Sequence, residues 1–104
     1  MDETTYQQRA TATLARLAEA LEPAYDSGAL DELEQSESTL TITTASGRTL
    51  VVSKHAPTRQ IWLASRSSGG LHFAWAENGE WRLVDGRELL ATLRAELAPE
   101  KVIL

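Results

Sequence analysis

Between Thr39 and Val84 the apolar residues recur at every second position, in runs too short for helices and bounded by turn-forming residues. This pattern admits little besides a sheet of short strands. In Thr39–Thr44, Leu40 and Ile42 face one way and the threonines the other, and Ala45-Ser46-Gly47-Arg48 supplies a hairpin turn into a strand over residues 49–53. Pro57 interrupts after His55, and Gln60–Ser65 is the next strand. Ser67-Ser68-Gly69-Gly70 turns the chain into residues 71–76, and Asn78-Gly79 marks a tight hairpin before residues 81–84. Leu30–Gln35 adds a further strand in which only Leu33 is committed to a core. Five or six strands joined in succession by short turns give a mainly antiparallel sheet.

An amphipathic helix stands on either side of this meander. Tyr6, Ala10, Leu14, Leu17 and Leu21 form one stripe of a first helix over residues 5–22, with Thr4 and Gln7 spaced as a capping box and Pro23 as its stop. Leu89, Leu90, Leu93 and Leu97 form the stripe of a second, with Asp85 as cap, Glu88 completing a box-like spacing, and Pro99 as terminator. The expected architecture is α+β: a two-layer α/β sandwich with both helices on one face of a five- to six-stranded sheet, the other face left to solvent or a partner. At 104 residues, with 42% hydrophobic and 24% charged, the chain reads as one domain over residues 1–104.

Period-two geometry then sorts the side chains. Leu40, Ile42, Leu50, Val52, Ile61, Leu63, Phe73 and Trp75 point at the helices, and Trp75 and Trp81 anchor the core beneath them. Gln60, Trp62, His72 and His55 point away. An outward tryptophan can simply cover neighbouring arginine stems such as Arg59 or Arg82, but tryptophan is also over-represented among interface hot spots, which makes Trp62 a candidate contact residue.

The charge is unevenly placed. The chain carries −5 overall, while its first 40 residues hold nine acids against Arg9 and Arg16, a balance of −7. Such an end repels nucleic acid and anionic lipid and attracts metal cations or basic protein surfaces. No cysteine is present, so disulfides, thiolate metal sites and thiol nucleophiles are excluded, which suits a reducing compartment; the cytoplasm is expected. The opening residues lack the pattern of a signal or transit peptide, and no apolar run is long enough to span a membrane.

The residues from Ser53 to Gly70, SKHAPTRQIWLASRSSGG, followed by His72-Phe73-Ala74-Trp75, resemble the central signature of the frataxin family in its bacterial, CyaY-like branch. The order of elements also resembles that family over nearly the whole chain. The resemblance implies an iron-binding accessory protein of iron-sulfur cluster assembly, acting as iron donor or regulator by docking onto a cysteine desulfurase and its scaffold protein. It implies an acidic ridge for iron and desulfurase at Glu19, Glu22, Asp26, Asp31, Glu32 and Glu34, and a scaffold contact at Gln60, Trp62, His55 and His72. Pro23, Ala18 and Ala29 stand where relatives often carry acids, a departure that points to a lower iron capacity, and in the open-face contact set Ser53 replaces a common asparagine. Monomer is the default, with metal-dependent oligomers as an extension.

The residue chemistry agrees in kind. Carboxylates are hard oxygen donors, and clustered acids favour a cation that neutralises them, yet without enclosing geometry or nitrogen ligands the site selects poorly for iron (Fe2+ or Fe3+) over magnesium, calcium or manganese. Weak surface binding at several places is therefore expected. Acid-rich helix ends are commonly just solvated faces, with Arg16 placed to pair with Glu19. A strand histidine on an open face is more often a surface residue than a ligand. For an enzyme, Ser67-Ser68-Gly69-Gly70 is neither a nucleophile elbow nor a phosphate loop, and no dry pocket separates two carboxylate pKa values. A small iron-oxidising enzyme, a hydrolase and a general protein-interaction domain remain as alternatives to the non-enzymatic adaptor.

Overall fold

The computed structural model describes residues 1–104. Helix α1 (Glu3–Asp26) leads into strands β1 (Leu30–Gln35), β2 (Thr39–Thr44), β3 (Thr49–His55), β4 (Gln60–Ser65), β5 (Gly69–Trp75) and β6 (Trp81–Arg82), followed by helix α2 (Leu89–Leu97). Short 3-10 turns occupy Ala56–Thr58 and Ala98–Glu100. The six strands lie in the sheet in chain order, and all five ladders are antiparallel. Both helices pack on one face, as the alternation and the two apolar stripes require.

The core forms where the stripes meet the inward strand positions. Tyr6, Ala10, Leu14, Leu17 and Leu21 of α1 and Leu89, Leu93 and Leu97 of α2 are all buried against Leu40, Ile42, Leu50, Val52, Ile61, Leu63 and Phe73. Fully burying a side chain of this size contributes about 1.5–3 kcal/mol, which holds the two layers together. Trp81 is buried, donates through Nε1 to the Thr13 hydroxyl at 2.9 Å, and meets Tyr6 edge-on. Trp75 differs from expectation: it is only half-buried at the end of β5, with the Arg9 guanidinium standing 4.5 Å over its ring.

The element ends also differ. Asp2, not Thr4, caps α1 by accepting from the Thr5 amide at 2.7 Å, and Gln7 reaches Glu3 instead. A carboxylate at the cap satisfies the same orphan amide and also favours the positive end of the helix dipole. Pro23 does not stop the helix, which continues to Asp26. Proline removes a single donor at an exposed position, while Ala24 one residue on remains in the core and its carbonyl accepts from the Ala29 amide at 2.9 Å. In α2, Glu88 is the cap, accepting from the Leu90 and Ala91 amides at 2.8 and 3.1 Å, whereas Asp85 closes the preceding turn on Arg87. That turn shortens β6 and leaves Val84 exposed. Strands β3 and β5 run further than expected, to His55 and from Gly69. The tail does not fray wholly: Val102 is buried and Arg94 donates to the Leu104 carbonyl.

A polar lock closes the end of the molecule opposite Asp2. Arg48 donates to the Glu96 carboxylate at 3.0 Å and to the Glu96 carbonyl at 2.8 Å, and lies 3.5 Å from Glu100. The same Glu96 carboxylate accepts from Ser65 at 3.1 Å, Ser67 at 2.9 Å and Ser68. The serine-rich turn thus ties the β2–β3 and β4–β5 hairpins to the last turn of α2.

Candidate functional site

The sheet register fixes what the uncovered face displays. Paired residues point to the same side, so Thr39, Ser53, Trp62 and His72 form one row across β2 to β5. The neighbouring row is His55, Gln60, Ala74 and Arg82. Another is Glu34, Thr41, Val51, Ala64 and Gly70, and Glu32 stands opposite Thr43. The middle of the face is therefore flat, built from small uncharged side chains, with charge confined to Glu32 and Glu34 on one edge and Arg82 on the other.

Over this floor stands a three-ring stack. The His55 and Trp62 rings are 3.6 Å apart between centroids and 12° from parallel, and Trp62 and His72 are 4.1 Å apart and 14° from parallel. Trp62 Nε1 donates to Gln60 Oε1 at 2.9 Å, the Thr58 hydroxyl donates to the same oxygen at 3.0 Å, and Thr58 Oγ1 is 2.7 Å from His55 Nδ1. Thr58 thus links the Gln60 side chain to His55, the direction of the Thr58–His55 bond following the histidine tautomer. The indole is thus oriented before any partner arrives, and one of its faces is covered by each imidazole. All four expected residues, Gln60, Trp62, His55 and His72, come together. Thr58 went unforeseen; the signal for it was the indole N–H of an outward tryptophan, which needs an acceptor that must itself be held.

The acids are arranged differently. Strand β1 carries a bulge: Leu30 opposes Thr44 and Glu32 opposes Thr43, so Asp31 is the extra residue. The bulge lets Leu30, not Leu33 alone, enter the core while Glu32 and Glu34 both project from the open face. There the Glu32 carboxyl shares a hydrogen bond with Glu34, which, with slight desolvation and the Glu34 charge, raises its pKa above the ordinary glutamate value. Glu19, Glu22 and Asp26 are exposed along the second half of α1. Arg16 makes no ion pair with Glu19, contrary to expectation, because its side chain is turned toward a groove beside α2. Nowhere do three acidic or histidine side chains converge as a metal-binding cluster, so the six expected acids do not form one site. Hard carboxylate oxygens in this arrangement suit a largely hydrated cation held by one or two groups at a time.

The fold is a helix–meander–helix sandwich with an ordered aromatic stack on its free sheet face and a carboxylate pair on the adjoining edge. The Frataxin-like domain profile matches residues 1–101, and the chain belongs to the frataxin family. It is 43% identical over 84 residues to the iron-sulfur cluster assembly protein CyaY of Pseudomonas fluorescens, covering 79% of this chain and 76% of that one. It is 34% identical over 94 residues to CyaY of Burkholderia mallei, covering 89% and 85%. Among solved structures, a trimeric frataxin from Saccharomyces cerevisiae in a ferrous complex superposes with a TM-score of 0.77 at 31% identity, covering 88% of this chain and 84% of that one. Frataxin from Psychromonas ingrahamii shares the fold at the same TM-score of 0.77 with 24% identity, covering 100% and 96%.

Proposed function

We propose that this chain is an accessory protein of iron-sulfur cluster assembly that associates with iron at its surface carboxylates and docks onto the assembly machinery through the open face of its sheet. The role in assembly is that of the CyaY relatives by name, and the ferrous complex of the yeast protein supports the association with iron. The observation that carries the docking surface is the Trp62 stack: a large aromatic held rigid by His55, His72 and Gln60 above an uncharged floor loses little side-chain entropy on binding. Iron is cargo in this reading, held weakly and with little selectivity at Glu32 and Glu34 and at the scattered acids Glu19, Glu22, Asp26 and Asp31. The partners are a cysteine desulfurase, whose basic surface complements the acidic end, and the scaffold protein, which meets Trp62. The role is that of an adaptor, in the cytoplasm, with no helix long and apolar enough to cross a membrane.

The test is cluster formation by a purified desulfurase and scaffold, followed with and without this protein. The rate should change on its addition, and both Trp62→Ala and the double variant Glu32→Gln/Glu34→Gln should lose the change. A rate indifferent to the protein at every ratio would overturn the reading.

A further inference from the structure

On the helix side of the sheet, between α1, the turn joining β5 to β6 and the start of α2, lies an open groove of about 620 Å³. Its α1 wall is the stripe Arg9, Ala12, Thr13, Arg16 and Ala20, in which the three short side chains leave the space and the two long ones border it. Its floor is Leu17, Trp75, Trp81 and Leu89. A volume of this size lies within the range of small-molecule pockets.

Two bases and two acids line the groove, in a part of the chain otherwise rich in acids. Arg9 and Arg16 are the only bases among the first 40 residues, and both line it. Neither is paired with a carboxylate. The Arg9 guanidinium carbon stands 4.5 Å from the centre of the Trp75 ring, a cation–π contact, and no hydrogen bond engages its N–H groups. The acids that share the groove are already engaged: Glu88 caps α2, and Glu80 is paired with Arg82. What the groove offers is therefore uncommitted positive charge above aromatic surface, with Trp75 and Trp81 set edge to face at 5.2 Å.

We propose that this groove binds a small aromatic anion, its ring system on Trp75, Trp81 and Leu89 and its carboxylate, sulfonate or phosphate group between Arg9 and Arg16. The two arginines are two helical turns apart, roughly 10 Å along the axis, a span that two long side chains close around one anionic group. The site lies on the opposite side of the sheet from Trp62, so its occupant does not overlap a partner docked on the open face.

The test uses 8-anilinonaphthalene-1-sulfonate as the anionic probe and uncharged N-phenyl-1-naphthylamine as its comparison, on the native full chain. The sulfonate should bind at a single saturable site, more weakly as salt is raised, and should shift the amide resonances of Thr13, Gly79 and Leu90 but not those of Thr41 or Ala64. Arg9→Gln/Arg16→Gln should weaken the sulfonate about tenfold or more and leave the uncharged probe unchanged. Ala12→Phe, which fills the groove and keeps both arginines at an exposed position, should abolish binding of both. Absence of saturable binding, an affinity indifferent to loss of the arginines, or shifts confined to the open face would each overturn the proposal.

Discussion

The Tyr6 hydroxyl donates to the Gln60 carbonyl at 2.7 Å, so the first turns of α1 grip the residue whose side-chain oxygen anchors Trp62 on the far face of the sheet. Tyr6→Phe leaves that carbonyl without its donor and should cost about 1–2 kcal/mol, read as a lower urea midpoint with unchanged m-value. Burial, the largest influence, raises the Tyr6 pKa. The native state thus keeps the phenol neutral where the unfolded chain ionises it. Stability should fall as pH rises above about 10, and the Phe variant should lack that part of the fall.

Trp62→Ala removes two stacked contacts from a half-buried position, and each such pair contributes about 0.5–1.5 kcal/mol. A loss of about 1–3 kcal/mol should appear in chemical denaturation, with the far-ultraviolet spectrum unchanged. His55→Ala frees Thr58 as well and should broaden the indole N–H resonance of Trp62 by removing one wall of its site.

The Glu32 carboxyl shares its hydrogen bond with Glu34. Since the Glu32 pKa is raised in the folded state, its contribution to stability is fully present below the ordinary glutamate range and is lost as pH rises from about 4 through the raised value. Glu34→Gln should return Glu32 toward the ordinary value in a carboxyl NMR titration and flatten the decline. A divalent cation that occupies the pair should likewise lower the Glu32 pKa, and an unchanged titration curve under millimolar Mn2+ or Fe2+ would argue against binding there.

Glu96 accepts from Arg48 and three serines while its side chain is only 11% exposed. Glu96→Ala strands the Arg48 guanidinium and loosens two hairpins at once, and should cost about 2–3 kcal/mol. Glu96→Gln should cost less, since the amide oxygen retains part of the network. Denaturation of the two variants side by side checks the order.

Alternation made most of the sheet readable because each strand is buried on one face only, so hydropathy reports geometry directly. Gln60, Trp62, His55 and His72 could be placed on one side by counting in twos. Their stacking could not, because His55 meets Trp62 diagonally across a ladder whose register is set by the turn at Ala56–Thr58. The bulge at Asp31 was likewise invisible: it arises from pairing with β2, and residues 30–35 alone offer no reason for Leu30 and Leu33 to share a face. The ends of α1 and α2 went elsewhere because a cap is chosen among neighbouring polar residues by small energy differences, and one proline near an exposed end does not outweigh continued burial of Ala24.

The strictly sequential order of the six strands bears on how the chain reaches this state. Each ladder is closed by a loop of a few residues, so the entropy lost in forming it is small, and the meander can zip hairpin by hairpin from any point along its length. Only the docking of α1 and α2 must bring distant parts of the chain together. Of the two edge strands, the one that bears Glu32 and Glu34 supports a single ladder, so its sequence can vary while the pairing of the five strands behind it stays as it is.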